Sequence, residues 1–177
     1  MKTYILLLRG INVSGHKKIK MADFKTLLQK EGFYHVRTYI QSGNIVFEYK
    51  ETDTKKLQQQ FEKIIEKHYQ FSVACLVISR EKLISVFENN PFLPEKSETT
   101  KFLHCTFLYE DSGYKNYHFN NEADSFILHK NVLYVYYPNG VSGSAKPNDF
   151  LKQLFKIENT TRNWNTVTKL HQMVQEQ

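Results

Sequence analysis

A cluster of basic side chains follows the first apolar segment of the chain, in the stretch LLLRGINVSGHKKIKM at residues 6–21. The apolar run ends at Arg9, and a polar loop with two glycines continues to Met21. The basic residues of this stretch are Arg9, His16, Lys17, Lys18 and Lys20. Basic side chains bind phosphates and carboxylates through charge-assisted hydrogen bonds. The stretch therefore indicates an anion-binding loop at the end of a buried strand.

Hydrophobic periodicity places this loop between a strand and a helix. Residues 3–8 predict a buried strand, and residues 21–31 predict an amphipathic helix that Gly32 ends. Strands at 35–41 and 45–49 are joined by a tight turn at Ser42, Gly43 and Asn44. A helix at 54–68 and a strand at 71–78 complete a β-α-β-β-α-β order, which is the ferredoxin-like unit.

The predicted topology brings a second polar segment to the loop. The first and second strands are parallel in this order, so the loop after the first strand and the turn after the second lie at one end of the sheet. The start of the first helix adds backbone N–H groups and the positive end of its dipole. We therefore predict an anion site made of Arg9, Asn12, Lys17, Lys18, Lys20, Gln41, Ser42 and Asn44.

These residues also have a structural interpretation, which stays open at this point. The glycines and Asn44 are typical of tight turns, in which they adopt a positive φ. The Arg9 side chain could hold its own loop by donating to backbone carbonyls, and the lysines could be ordinary solvated side chains.

The second half of the chain predicts a similar outline. A helix at 80–89 leads through a connector to strands at 102–109, 125–129 and 132–137, and helices follow at 148–156 and 166–175. The expected fold is α+β, with two ferredoxin-like (β-α-β-β-α-β type) subdomains packed together and an added C-terminal helix. The expected ranges are 1–79 for the N-terminal subdomain, 80–100 for helix and connector, and 101–177 for the second subdomain with the C-terminal helix.

The first strand is apolar on both of its faces. Its side chains alternate, so Ile5 and Leu7 point one way while Tyr4, Leu6 and Leu8 point the other. The two helices of a ferredoxin-like unit cover only one face of its sheet. We expect the second half of the chain to cover the other face, with Tyr4, Leu6 and Leu8 on it.

Three segments carry a resemblance to a known family: LLRGINV with KIKM, TYIQSGNIVF, and TTRNWNTVTKL. They are similar to the signature segments of the bacterial family catalogued as domain of unknown function 1697, and the resemblance spans essentially the whole chain. It implies a two-subdomain α+β fold and no particular function. Ser14-Gly15 stands where the family usually has Gly-Gly, and Asn165 stands where it often has Arg.

The segment before the last helix concentrates side chains that donate hydrogen bonds. Arg162 and Asn163 are the two that we add to the predicted anion-binding residues. Asn165 or Thr166 can cap the helix that follows. The stretch VSGSAK at 141–146 has the small residues and lysine of a phosphate loop but lacks the required spacing.

Composition limits the compartment and the partners. The formal charge of +6 favours anionic partners, although Lys, Asn, Tyr, Phe and Ile are enriched together, as an AT-rich coding sequence would also produce. No apolar run approaches the ~20 residues of a membrane span, and the first run meets Arg9 too early for a signal peptide. We predict a cytoplasmic protein with no membrane partner. Cys75 and Cys105 are expected to be free thiols, and no cofactor or metal is indicated.

No catalytic motif identifies a reaction. The chain has no G-x-S-x-G elbow and no H-E-x-x-H, so whether it is an enzyme stays open. The leading hypothesis is a protein that binds a small phosphorylated molecule or a nucleotide. A second is a single-stranded RNA- or DNA-binding protein, suggested by the charge, 11 Tyr and 13 Phe. A third is a protein-interaction module without a ligand, in which the polar residues only lock turns.

Overall fold

The chain forms two compact units, each built on an antiparallel sheet. This computed structural model describes residues 1–93, 97–114 and 116–176, so residues 94–96 of the predicted connector lie outside the described residues. Unit 1 comprises Met1–Ser85 and Lys169–Gln177, and unit 2 comprises Val86–Thr168. The two sheets are accompanied by five α-helices in the described part of the chain, which confirms the predicted α+β class.

Unit 1 contains four strands in the sheet order β2-β3-β1-β4, with all neighbours antiparallel. Its elements are β1 (Lys2–Leu8), α1 (Met21–Lys30), β2 (Tyr34–Tyr39), β3 (Asn44–Tyr49), α2 (Thr54–Tyr69) and β4 (Cys75–Ser79). The order along the chain is the predicted β-α-β-β-α-β. Since β1 and β2 are each antiparallel to β3, they run parallel to each other, and the loop after β1 lies at the same end of the sheet as the β2–β3 turn.

Helices α1 and α2 cover one face of this sheet. Their buried side chains, including Phe24 and Phe61, share a single core with the side chains that β1 directs to that face, Tyr4, Leu6 and Leu8. The expectation that these three β1 side chains lie on the outer face is therefore wrong. Alternation assigns Ile5 and Leu7 to the other face, where both are fully buried as well. Sequence alternation gives two faces but does not say which one the helices cover.

Residues near the C-terminus are bonded to the first unit. The boundary between the units falls within helix α3 (Arg80–Glu88) and within the C-terminal helix, which we label α5 (Trp164–Gln175). Arg80 Nε donates to the carbonyl of Val174 at 2.9 Å, and Arg80 Nη2 donates to Gln175 Oε1 at 2.9 Å. No helix of the described residues is long and apolar enough to cross a membrane.

Unit 2 contains a five-stranded antiparallel sheet in the order β6-β7-β8-β5-β9. Its elements are β5 (Leu103–Leu108), β6 (Asn116–Asn121), β7 (Asp124–His129), β8 (Val132–Tyr136), α4 (Asp149–Leu154) and β9 (Asn159–Asn163). Short 3-10 segments lie at Ser97–Phe102 and Val141–Gly143. Helix α4 contributes Leu151 and Leu154 to a core with β7 and β8. Cys75 in unit 1 and Cys105 in unit 2 are both buried thiols outside any disulfide, as predicted.

The prediction of a β-α-β-β-α-β order for the second subdomain is wrong. Strand β6 follows β5 with no helix among the described residues between them, and β9 follows α4. The sequence of β6, NYHFNN, has only two apolar side chains, but Tyr117 packs on Phe150 of α4 at a ring distance of 4.7 Å. In β9 the buried positions are Thr160 and Arg162, so its period of two is carried by polar residues. The added C-terminal helix is present as α5.

Gly43 in the β2–β3 turn lies close against the end of β1. Its φ is +78°, and a Cβ at this position would lie 2.6 Å from Leu8 Cβ. We expect Gly43→Ala to lower the free energy of unfolding by about 2–4 kcal/mol, because backbone strain and a core clash add together. Gly32→Ala is the matched control, since Gly32 has a φ of +87° and no atom within 4 Å of the added Cβ. The control should lose about 1–2 kcal/mol from strain alone in urea unfolding. Equal losses would show that the contact with Leu8 is unimportant.

Candidate functional site

The loop between β1 and α1 forms a miniature hairpin at its tip. His16 N donates to the carbonyl of Val13 at 3.0 Å, which closes a two-residue turn. Both central residues, Ser14 and Gly15, have positive φ, at +49° and +79°. This is the backbone that type I′ hairpin turns require. Ser14 therefore adopts a conformation that glycine would adopt at a lower energetic cost.

The side-chain amide of Asn12 holds this hairpin against its surroundings. Its Oδ1 accepts from Ile19 N at 2.9 Å, and its Nδ2 donates to the carbonyls of Ile19 at 2.9 Å and Gln41 at 2.6 Å. The Asn12 backbone N also donates to the carbonyl of Lys17 at 3.2 Å. One amide group thus closes the loop on itself and joins it to the β2–β3 turn. The two segments meet, as the topology predicts.

Gln41 occupies part of the helix start that we predicted for an anion. Its Oε1 accepts from Met21 N, the first backbone donor of α1, at 3.3 Å. Lys20 is the N-cap residue and makes no side-chain cap hydrogen bond, while Asp23 places a carboxylate in the first turn. An acceptor and a negative charge are therefore already present at this helix start.

The β2–β3 turn is held by its own polar side chains. Asn44 is fully buried, and its Nδ2 donates to the carbonyl of Tyr39 at 3.3 Å and to Ser42 Oγ at 2.9 Å. Leu8 N donates to the carbonyl of Gly43 at 2.8 Å, which ties the turn to the end of β1. Asn12, Gln41, Ser42 and Asn44 therefore use polar atoms in internal hydrogen bonds, as the structural interpretation expects.

The basic members of the predicted set lie at the surface of unit 1. Arg9, Lys17, Lys18 and Lys20 are all exposed, and Lys17 has a φ of +46°. The Arg9 backbone N donates to the carbonyl of Ala74, which fixes the start of the loop beside β4. The cations of the loop therefore project from a backbone that is held on both sides.

The net positive charge of the chain comes from unit 1. Sixteen Lys and Arg residues of unit 1 stand against nine Asp and Glu, a net charge of +7. Unit 2 has eight against nine, a net charge of −1. An anionic partner should therefore be drawn to unit 1.

Two predicted site residues belong to unit 2 and have structural partners there. Arg162 is buried, and its Nη1 donates to Thr160 Oγ1 at 2.8 Å and to the carbonyl of Thr161 at 2.9 Å. Burial lowers the pKa of Arg162 to about 10, so its side chain stays charged at neutral pH. Asn163 Oδ1 accepts from Thr166 N at 2.9 Å and so caps α5.

A second basic surface in unit 1 was missed by the sequence analysis. A groove of about 290 Å³ runs along α2 and is lined by Lys56, Lys63 and Lys67, with Glu31 at its side. The helical spacing of these lysines puts them on one side of α2, and this spacing was the signal that could have found them. Across the residues that the structure describes, no three His, Cys, Asp or Glu side chains are grouped to hold a metal ion.

The Asn12 amide can be tested separately from the backbone that it occupies. Asn12 has a φ of +55°, which glycine accepts, so Asn12→Gly removes the three side-chain hydrogen bonds with little added strain. We expect a loss of about 2–4 kcal/mol in urea unfolding, from about 0.5–1.5 kcal/mol for each bond. Ser14→Gly introduces the same residue at a positive φ in the same loop and should be neutral or stabilising. Similar losses in both variants would contradict a role for the amide.

The chain is similar to a family of proteins of unknown function and to a solved structure. A family model described as protein of unknown function (DUF1697) matches residues 1–134. The structure of the conserved bacterial protein SP0830 from Streptococcus pneumoniae is similar, with 25% sequence identity, a TM-score of 0.69 and 98% of each chain covered. No curated protein matches the chain. Since the family match spans more than half of its residues, the chain belongs to the DUF1697 family of proteins of unknown function.

Proposed function

We propose that this is a cytoplasmic protein that binds a small phosphate-bearing ligand, such as a nucleotide, on unit 1. The ligand surface consists of the loop at residues 9–20 and the turn at residues 40–43, which we call the loop surface. We also propose that unit 1 is ferredoxin-like, a reading supported by its element order and its β2-β3-β1-β4 sheet. The main observation in support of this function is the set of three hydrogen bonds made by the Asn12 side chain, which hold the cation-rich loop in place.

Backbone strain supports a function for the loop surface. Of the eight non-glycine residues with positive φ among the described residues, four lie here: Asn12, Ser14, Lys17 and Ile40. Ile40 is β-branched, has a φ of +48° and is 52% exposed, so no burial of its side chain accounts for this conformation. Strained backbone of this kind is concentrated at ligand-binding sites, where the surrounding structure maintains it.

The ligand contacts would come from the cations rather than from the amides. Lys17 and Lys18 are exposed, whereas the Asn12 and Gln41 amides already hold the loops together. Each loop also carries one exposed aliphatic side chain, Val13 at 60% and Ile40 at 52%. A charged group beside an apolar ring, as in a nucleotide, matches this combination of side chains.

Two double variants with the same charge change test the proposal. Lys17→Gln with Lys18→Gln alters the loop surface, and Lys63→Gln with Lys67→Gln alters the α2 groove. A nucleotide at ~100 times its dissociation constant should stabilise the wild type by about 2.7 kcal/mol. For a chain of this length the midpoint of thermal unfolding should rise by about 5–10 °C. The loop variant should lose this rise, and the α2 variant should keep it.

The ligand panel should contain mononucleotides, sugar phosphates, inorganic phosphate and small carboxylates. Arg9→Ala should also abolish the midpoint rise, because it removes one of the cations proposed to bind the anionic group. If no member of the panel shifts the midpoint of thermal unfolding of the wild type, ligand binding is contradicted and a protein-interaction module is favoured.

Single-stranded nucleic acid is a second candidate ligand, favoured by the charge of unit 1 and by the lysines along α2. A nucleic acid that crossed both basic surfaces would bind more weakly to the loop variant and also to the α2 variant. Its affinity should fall by roughly 0.7 log units per log unit of salt for each phosphate neutralised. Fluorescence anisotropy with a short mixed-sequence RNA measures this slope. No binding at low salt would exclude this candidate, because the electrostatic attraction is then strongest.

A further inference from the structure

A second groove lies at the other end of the β2–β3 hairpin. It has a volume of about 730 Å³, within the range of small-molecule sites. The charged and polar residues that line it include Lys25, Gln29, His35, Arg37, Glu48 and Glu176. All of them belong to unit 1, and they come from α1, from the start of β2, from the end of β3 and from the C-terminal segment.

His35 occupies an irregularity in the sheet beside this groove. The pairing of β2 with β3 shifts register between Tyr34 and Arg37, and His35 has a φ of +48° within the shift. Such bulges redirect a side chain and are over-represented next to active sites. The side chain of His35 is 75% exposed, so burial does not account for its backbone conformation.

Glu48 orients the imidazole ring of His35. His35 Nδ1 lies 3.0 Å from Glu48 Oε1, and a carboxylate can only accept, so the Nδ1 proton faces Glu48. In the neutral ring Nε2 then carries the lone pair. The side chain of Glu48 is only 25% exposed, so the partner of His35 is itself held in place.

Two cations stand in the same groove. Arg37 Nη1 donates to the carbonyl of Glu176 at 3.1 Å and lies 3.7 Å from the Glu176 carboxylate, which is 63% exposed. An anion from solution could take the place of this exposed carboxylate beside Arg37. Lys25 of α1 supplies the second positive charge.

We propose that this groove is a binding site for a small molecule carrying a phosphate or carboxylate group. Arg37 and Lys25 bind the anionic group, displacing the Glu176 carboxylate. His35 faces the rest of the ligand through Nε2 as a hydrogen-bonding and proton-accepting group, and Glu48 is its positioning residue. This site is separate from the loop surface and does not depend on the function proposed for that surface.

Modification of histidine by diethyl pyrocarbonate, followed by mass spectrometry at each histidine, tests this arrangement. The reagent attacks the lone pair of a neutral imidazole. We expect the labelling rate of His35 to differ by about two to five times between the wild type and Glu48→Gln, the change that loss of an exposed charged partner can give. Glu31→Gln is the control, since Glu31 lies 3.7 Å from His68 Nε2 and should not affect His35.

Ligand binding is tested by protection of His35 in a buffer free of oxyanions. Inorganic phosphate and acetate are the two probes, and slower labelling of His35 with either one supports the site and assigns its anion. Arg37→Gln should remove the protection, and Lys25→Gln serves in its place if the first variant does not fold. The double variant of Lys17 and Lys18 should retain the protection, which separates this site from the loop surface.

Three outcomes would overturn the proposal. The first is a labelling rate of His35 that is equal in the wild type and in Glu48→Gln. The second is the absence of protection by either probe. The third is protection of His35 that persists in Arg37→Gln, or in Lys25→Gln where that variant replaces it, because the probe would then be bound elsewhere.

Discussion

The three hydrogen bonds of the Asn12 side chain are the interaction on which the architecture of the loop surface depends. The loop that connects β1 to α1 has backbone N–H and C=O groups that no neighbouring strand can pair with. The Asn12 amide offers both an acceptor and a donor to Ile19, in the way that a neighbouring strand would. Its second donor bond reaches the carbonyl of Gln41, so the β2–β3 turn is held by the same group. A single residue can therefore set the position of two loops that are far apart in sequence.

The strain in these loops must be balanced by the sheet beneath them. A non-glycine residue at positive φ costs on the order of 1–3 kcal/mol, and an exposed ion pair contributes about 0–1 kcal/mol. The pair between His35 and Glu48 therefore does not account for the conformation of His35. The hairpin core is a sufficient source, because Ile45 and Phe47 are fully buried and each contributes about 1.5–3 kcal/mol. Burial in the middle of the hairpin stabilises irregular backbone at both of its ends.

The sequence was sufficient to predict the order of strands and helices in unit 1 and the meeting of its two loops, because apolar periodicity and tight-turn residues act locally. It was insufficient in unit 2, where β9 presents buried Thr160 and Arg162 in place of apolar residues. Strand β6 was not predicted because its two aromatic side chains are stabilised by packing on Phe150 of α4, a contact that the local sequence does not reveal. The same limit applies to the loop, since no sequence pattern tells whether an amide binds a ligand or a neighbouring carbonyl.

The β2–β3 hairpin explains why unit 1 has candidate sites at both ends of one element. At the turn, Gly43 packs against Leu8, so the turn cannot move without disturbing the core. At the open end, the register shift displaces His35 from the regular ladder, while Glu48 remains paired with Thr3 of β1. A hairpin with a rigid middle can thus hold polar side chains in fixed positions at each end without a change in its core. Because the cations lie at the surface of this frame, they can vary in number and kind without loss of the fold, and binding of the proposed ligands can change independently of the stability of the protein.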